Sequence, residues 1–248
     1  MGLPDSVTAV LFDLDGVLTS TAVLHRRAWK QVFDSYLADH AGPDERPFDE
    51  RDYLEYVDGR PRQEGVRAFL VSRDITLPDG DPGDPGDPAD ALTVYGLGNR
   101  KNQVLLAIIE NEGVQAYPGS VAYVRAVRDQ GLRVGVVTSS TNAEAVLAAT
   151  GLDRFVDVRV DGATIAARGL RGKPEPDSFL AAAEQLGVRP EHAAVFEDAI
   201  SGVRAGRAGR FGYVVGVDRV RDSEHARALL EVGADIVIPD LSSLRATR

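Results

Sequence analysis

The sequence predicts an α/β fold, a parallel-sheet core with an inserted helical domain, and three observations point there. Beyond Gly113, short apolar runs alternate with segments of helical periodicity. A further apolar run occupies residues 7 to 14, and no convincing strand follows it until after residue 110. Polar clusters stand at the ends of four of these runs. Strands alternating with helices imply a parallel sheet with right-handed crossovers and helices on both faces. The first strand must join that sheet. The core is therefore expected to be discontinuous, residues 1–19 with 113–248, and residues 20–112 form the helical insertion.

The elements follow in order. In Thr8 to Leu14, Thr8, Val10 and Phe12 are expected on one face and Ala9, Leu11 and Leu14 near the other. From Thr21, a plausible cap, to about Leu37, apolar residues recur at helical spacing. A polar stretch at residues 41–47 breaks the pattern. A second helical pattern holds Tyr53, Tyr56 and Val57 and ends at Gly59; a third runs from Arg62 to Ser72. Residues 80–88 read Gly-Asp-Pro three times, which forbids regular structure. Repeated Asp invites a calcium reading, but a solvated acidic loop is the simpler account. A fourth helix is expected from Asn99 to about Glu110, with Arg100 and Lys101 in its first turn, where cations oppose the helix dipole unless an anion binds.

Strands are then expected at 133–137, 155–160, 193–196, 213–217 and 236–238. Helices are expected up to about Thr150, at 176–187, up to about Arg207 and at 223–231.

Composition narrows the function. The chain has 248 residues, enough for a sizeable core, and 44% are hydrophobic. Its net charge of −10 argues against electrostatic binding to nucleic acid or to an anionic membrane. There is no cysteine, so disulfides, thiolate metal sites and cysteine nucleophiles are excluded. No apolar run reaches the roughly 18 residues of a membrane span, and residues 1–5 lack signal-peptide character. The expected protein is a cytoplasmic monomer acting on a small molecule.

Each polar cluster has a functional and a structural reading. Asp13 and Asp15, two residues apart before Gly16, either stabilise a turn or do chemistry. Carboxylates at a strand's carboxyl end lie where open α/β sheets place their ligands. Thr138, Ser139, Ser140, Thr141 and Asn142 can cap a helix, although one such residue suffices, or cradle a phosphate. Lys173, between Gly172 and Pro174-Glu175-Pro176, is a solvated loop lysine or neutralises a phosphoryl group. Glu197 and Asp198 complete an oxygen shell for Mg²⁺, while Asp198 can also cap the next helix. Taken together, the carboxylates suit Mg²⁺ and the hydroxyls, amides and lysine suit phosphoryl oxygens. With no cysteine present, Asp13 or Asp15 remains as nucleophile, and the other as general acid and base.

In these motifs the sequence resembles the haloacid dehalogenase superfamily, in its aspartate-nucleophile phosphatase and phosphomutase branch. Asp13-Leu14-Asp15-Gly16-Val17, Thr138, Lys173-Pro174-Glu175-Pro176 and Glu197-Asp198 match that family's four motifs in order. The resemblance implies a Rossmann-like core with an α-helical cap. It makes Asp13 the nucleophile and Asp15 the acid and base. It implies Mg²⁺ held by Asp13, the Asp15 carbonyl and Asp198, with Glu197 at or near the ion.

Within the superfamily the sequence resembles the β-phosphoglucomutase-like subfamily. Thr21, His25 and Trp29 match its Thr-x-x-x-His-x-x-x-Trp, with Thr21 as hinge. Arg62 matches a cap arginine that grips the phosphate not being transferred. Lys101 and Asn102 match its Arg-Lys-Asn, and Gly59, Ser139, Ser140 and Asn142 fall at its substrate-binding positions. Packing is the simpler reading for Trp29. Three departures stand out: Asp58 and Thr141 replace lysines, and Ala199 replaces a serine. The implied activity is interconversion of β-D-glucose 1-phosphate and glucose 6-phosphate. The alternatives are a Mg-dependent sugar-phosphate phosphatase and a non-catalytic sugar-phosphate sensor. Closure of the cap is expected to exclude water, with the Thr19–Thr21 segment as one of two crossings and residues 113–118 as the other.

Overall fold

A computed structural model describes residues 2–40, 45–83, 86–219, 221 and 223–245. The chain divides into two compact units, Met1–Thr21 with Val114–Arg248, and Ala22–Gly113. The strands are β1 (Ala9–Phe12), β2 (Arg133–Val137), β3 (Val158–Val160), β4 (Ala193–Glu197), β5 (Tyr213–Val217) and β6 (Ile236–Ile238). The helices are α1 (Thr21–His40), α2 (Glu50–Asp52), α3 (Arg62–Ser72), α4 (Val94–Glu112), α5 (Pro118–Asp129), α6 (Ala143–Thr150), α7 (Gly162–Arg168), α8 (Asp177–Leu186), α9 (Ile200–Ala208) and α10 (Ser223–Glu231).

All strand pairs are parallel, in the order β3-β2-β1-β4-β5-β6. The order reverses between β1 and β4, which makes their carboxyl ends the topological switch point where such sheets bind ligands. Phe12 sits level with Val136 of β2 and Phe196 of β4, so Asp13, Thr138 and Glu197 leave the sheet at one end. One face of the sheet packs Val10, Phe12, Val134 and Val136 against Tyr123, Val124 and Val127 of α5 and Val146 and Leu147 of α6. The other packs Ala9, Leu11 and Val195 against Ile165 of α7, Phe179 and Ala182 of α8, Val203 of α9 and Leu229 of α10.

β1 is shorter than the expected strand. Its alternation stops at Phe12, so Leu14 joins the face of Val10 and Phe12 rather than that of Leu11. β3 also contracts: Asp153–Phe155 form a tight turn, with Val156 N–H donating to the Asp153 carbonyl at 3.1 Å. Helices α5 and α7 lie outside the helices expected from the sequence. Proline at the first position of α5 suits a helix start, and Asp161 caps α7 by accepting from Thr164 N–H at 2.8 Å.

The Ala22–Gly113 unit is helical, with no strand among the described residues. Its core joins Trp29, Phe33, Tyr36, Phe48, Phe69 and Leu97, all buried. α4 begins at Val94 and not at Asn99; Thr93 caps it, its hydroxyl accepting from Gly96 N–H at 2.9 Å. Glycines at 96 and 98 weaken the helical signal there, since glycine is a poor helix former. Arg100 and Lys101 therefore lie in the second turn, and the dipole argument for an anion at them does not hold. Pro85 and Asp84 of the Gly-Asp-Pro repeat, and residues 41–44, lie outside the described residues.

Asp52 is a buried carboxylate of this unit, with 0% of its surface exposed. It closes a capping box with Asp49, each carboxylate accepting the other's N–H, at 2.9 and 3.2 Å. It also accepts from Arg46 at 2.7 Å and from Arg73 at 2.6 Å. Burial pushes the Asp52 carboxyl up, but the arginines and the Asp49 amide outweigh it and hold it below the usual range. Its contribution is thus fully present above the unfolded carboxyl value of about 4 and is lost as pH falls through the lower folded value. Asp52→Ala removes one partner of Arg73, whose side chain is 5% exposed and which keeps Glu45 and the Arg46 carbonyl, and should cost about 2 kcal/mol. Urea melts at pH 7 check this, and the difference between the two proteins should shrink in acid.

Candidate active site

β1 delivers Asp13 directly. Its amide donates to the Phe196 carbonyl at 2.9 Å, which continues the β1–β4 ladder and fixes the backbone before the side chain turns inward. Asp13 is buried, and its Oδ1 accepts from Lys173 Nζ at 2.6 Å. Lys173 also donates to the Glu197 carboxylate and to the Val137 carbonyl, the latter at 3.3 Å. Glu197 is fully buried and further accepts from Ala199 N–H at 3.0 Å. The lysine is therefore a buried cation between two buried carboxylates, not a solvated loop residue. Burial pulls its pKa down, but Asp13 and Glu197 outweigh that and hold it above the ordinary lysine value. Burial drives the Asp13 carboxyl up; Lys173 opposes this, while Glu197 and Asp15 reinforce it, and the net direction is upward.

Asp15 has different partners. Its Oδ2 accepts from the Thr138 hydroxyl at 3.1 Å, and its Oδ1 from the Thr21 hydroxyl. Thr21 is also 2.7 Å from the Thr19 hydroxyl. The hydroxyl of Thr21 is thus committed to Asp15 and Thr19. The two crossing segments lie side by side: Ser20 N–H donates to Gln115 and Tyr117 N–H to Leu18, at 2.9 and 3.0 Å.

The run after β2 folds on itself. Thr138 Oγ1 accepts from Ser140 N–H at 3.1 Å, and Ser140 Oγ from Asn142 N–H at 3.2 Å. Asn142 stands at the cap of α6 without a capping side-chain bond, and Ser139 is half-buried beside it. Asp198 does not cap α9 either; Ala199 holds that position, with no side-chain bond. Instead, one carboxylate oxygen each from Asp13, Glu197 and Asp198 lie within 4.8 Å of one another, the only such acidic or histidine cluster among the described residues. Three converging oxygen donors suit a hard divalent ion. Gly16 (φ +93°) closes this side: a Cβ there would lie 1.8 Å from Asp198 Oδ2, so the turn needs glycine for both conformation and space.

In the Ala22–Gly113 unit, Lys101 Nζ is 3.0 Å from His25 Nδ1 and 5.0 Å from the centre of the Trp29 ring. Lys101 is buried. Trp29 is buried as well and stacks on Phe33, which is a packing role. Gly59 (φ +70°) precedes α3, Arg62 opens that helix, and Asn102 is half-buried in α4.

Two supporting residues escape the sequence reading. Arg219 Nε donates to the Gly16 carbonyl at 3.1 Å, and its Nη2 to Val17 O and Ser120 Oγ at 2.7 and 2.8 Å. It also pairs with Asp240 and lies 3.9 Å above the Tyr117 ring. It holds the turn that carries Asp15. His225 Nε2 donates to the Asp198 carbonyl at 3.0 Å. The signal for the first was an Asp218-Arg219 pair at the end of β5; nothing in the sequence around His225 marks the second.

Residues 7–210 match the family model described as haloacid dehalogenase-like hydrolase. A Mycobacterium bovis protein named beta-phosphoglucomutase is 56% identical over 98% of this chain and 94% of its own. A Thermotoga maritima phosphorylated carbohydrates phosphatase is 30% identical over 91% of each chain. The structure of CbbY from Rhodobacter sphaeroides in complex with phosphate superposes with a TM-score of 0.69 at 26% identity, covering 96% of each chain. With the four motifs gathered at one end of the sheet and a family match over most of the residues, this chain belongs to the haloacid dehalogenase-like hydrolase family.

Proposed function

We propose that the chain interconverts β-D-glucose 1-phosphate and glucose 6-phosphate as a phosphomutase. The observation that carries this reading is the 56% identity, over nearly the whole chain, to a protein named beta-phosphoglucomutase. The contacts of the two aspartates support the division of labour. Asp13, gripped at Oδ1 by Lys173, keeps its other oxygen for phosphorus. Asp15, gripped by two hydroxyls, is set to handle protons.

In the forward direction Asp13 already carries the phosphoryl group. Asp15 takes the proton of the sugar's 6-hydroxyl, the oxygen attacks phosphorus, and the bond from phosphorus to Asp13 breaks. The product is glucose 1,6-bisphosphate. After it turns over, the Asp13 oxygen attacks the 1-phosphate, the bond to the sugar oxygen breaks, and Asp15 returns the proton. Glucose 6-phosphate leaves, and Asp13 again carries phosphate. Asp13, the Asp15 carbonyl and Asp198, with Glu197 at or near the ion, would hold Mg²⁺, which would supply positive charge to the phosphoryl oxygens. Thr138 and Lys173 sit beside the two aspartates, and Ser139, Ser140 and Asn142 are assigned to the substrate. Arg62, with Gly59, His25, Lys101 and Asn102, is assigned to the phosphate not being transferred and to the sugar. Thr21 is the hinge.

A phosphatase reading has one specific observation in its favour: Asp58 and Thr141 stand where two lysines are expected, which leaves fewer cations for a second phosphate. Incubation with β-glucose 1-phosphate, Mg²⁺ and a trace of glucose 1,6-bisphosphate separates the two. Glucose 6-phosphate should accumulate as substrate disappears. Inorganic phosphate appearing at the rate of substrate loss, with no glucose 6-phosphate, would sink the mutase.

A further inference from the structure

We infer that Asn99 is a positioning residue for Arg62, and that the closing end of the Gly-Asp-Pro loop is the anchor that makes it one. This rests on the reading of Arg62 as the grip on the non-transferred phosphate. Arg62 Nη1 donates to Asn99 Oδ1 at 3.3 Å, and Asn99 Nδ2 donates to the Asp87 carbonyl at 2.9 Å. The orientation of the amide is fixed by chemistry. A guanidinium only donates and a carbonyl only accepts, so oxygen must face Arg62 and nitrogen must face Asp87. Aspartate or leucine at 99 cannot make both bonds.

The anchor is itself held at three points. The Asp87 carboxylate accepts the Thr93 hydroxyl, Arg100 Nε donates to the Ala89 carbonyl at 2.8 Å, and Asp87 N–H reaches Asp81 O at 3.3 Å. Two of these three bonds lead back to α4 or its cap, so the loop is strapped to the helix that bears Asn99. The loop that composition marks as structureless thus ends in a fixed carbonyl.

Gly98 completes the seat. A Cβ there would lie 3.2 Å from Arg62 Cδ and 3.5 Å from Cγ, so the bare backbone makes room for the arginine stem while the next residue holds its head. Arg62 is half-buried, and desolvation lowers its pKa. A flexible arginine loses rotamer entropy when it binds an anion; one already seated loses less.

The test uses the full chain in an Asp13→Asn background, where turnover cannot consume the ligand, with glucose 1,6-bisphosphate titrated by calorimetry. Asn99→Leu should weaken binding about tenfold. Arg62→Ala should weaken it at least as much, and adding Asn99→Leu to Arg62→Ala should change nothing further. In the Asp13 protein, Asn99→Leu should raise KM with kcat within about twofold. Equal effects of Asn99→Leu with and without Arg62, or a loss confined to kcat, would overturn the relay. An Arg62→Ala protein that binds normally would instead overturn the reading beneath it. Thermal melts verify folding. If Asn99→Leu does not fold, Asn99→Ala decides: alanine favours the helix and makes neither bond, so binding should still weaken. Unchanged binding in that variant defeats the proposal.

Discussion

Asp13→Asn should lower turnover at least about 10⁴-fold while leaving the protein folded. The amide has nearly the shape of the carboxylate and keeps an oxygen for Lys173 Nζ, 2.6 Å away in the native chain. It lacks the charge that makes a carboxylate oxygen a nucleophile toward phosphorus. Folding should be spared because burial already pushes Asp13 toward its neutral form, and because Lys173 retains Glu197. Glucose 6-phosphate formation measures the first effect and a melting curve the second. Turnover within tenfold of the native protein would move the nucleophile elsewhere, with Asp15 the next carboxylate to test.

Lys173→Met should be the most destabilising change at the site, by about 3–5 kcal/mol. The lysine side chain is 1% exposed and lies between side chains of Asp13 and Glu197 that are 8% and 0% exposed. Methionine fills the volume but leaves two carboxylates facing each other without a cation. One must then take up a proton or attract a metal ion. Mg²⁺ binding only the folded chain would recover about 2.7 kcal/mol at a hundred times its Kd. Urea melts of the variant with and without Mg²⁺ should therefore differ more than those of the native protein. Activity should fall at least about 10²-fold even with Mg²⁺, since the cation beside the attacking carboxylate is gone. A variant as stable as the native chain without Mg²⁺ would mean that the lysine does not bridge the two acids in solution.

Several elements were legible because their residues carry strong local signals. β2, β5, β6, α3 and α10 begin and end where apolar spacing and turn residues put them. β3 starts later and α4 earlier than local spacing predicts, for opposite reasons. Phe155 is apolar enough to read as strand, yet the backbone turns at 153–155 to bring it against the core. Gly96 and Gly98 are poor helix formers, yet α4 runs through them, and a Cβ at either would crowd Ala91 or Arg62.

By itself the sequence determined the α/β class and the four chemical clusters. Runs of valine and leucine report burial, and acids, hydroxyls and a lysine at the ends of those runs report chemistry, because both signals lie within a few consecutive residues. Only the tertiary structure decided what each group touches. It turned a loop lysine into a buried cation between Asp13 and Glu197, 160 and 24 residues away along the chain. It separated the partners of Asp13 from those of Asp15, and it placed Arg219, 203 residues from Gly16, across the turn that follows Asp15. Such contacts depend on the order in which parallel strands assemble, and no local pattern encodes the distance between residues that meet only once the sheet has formed.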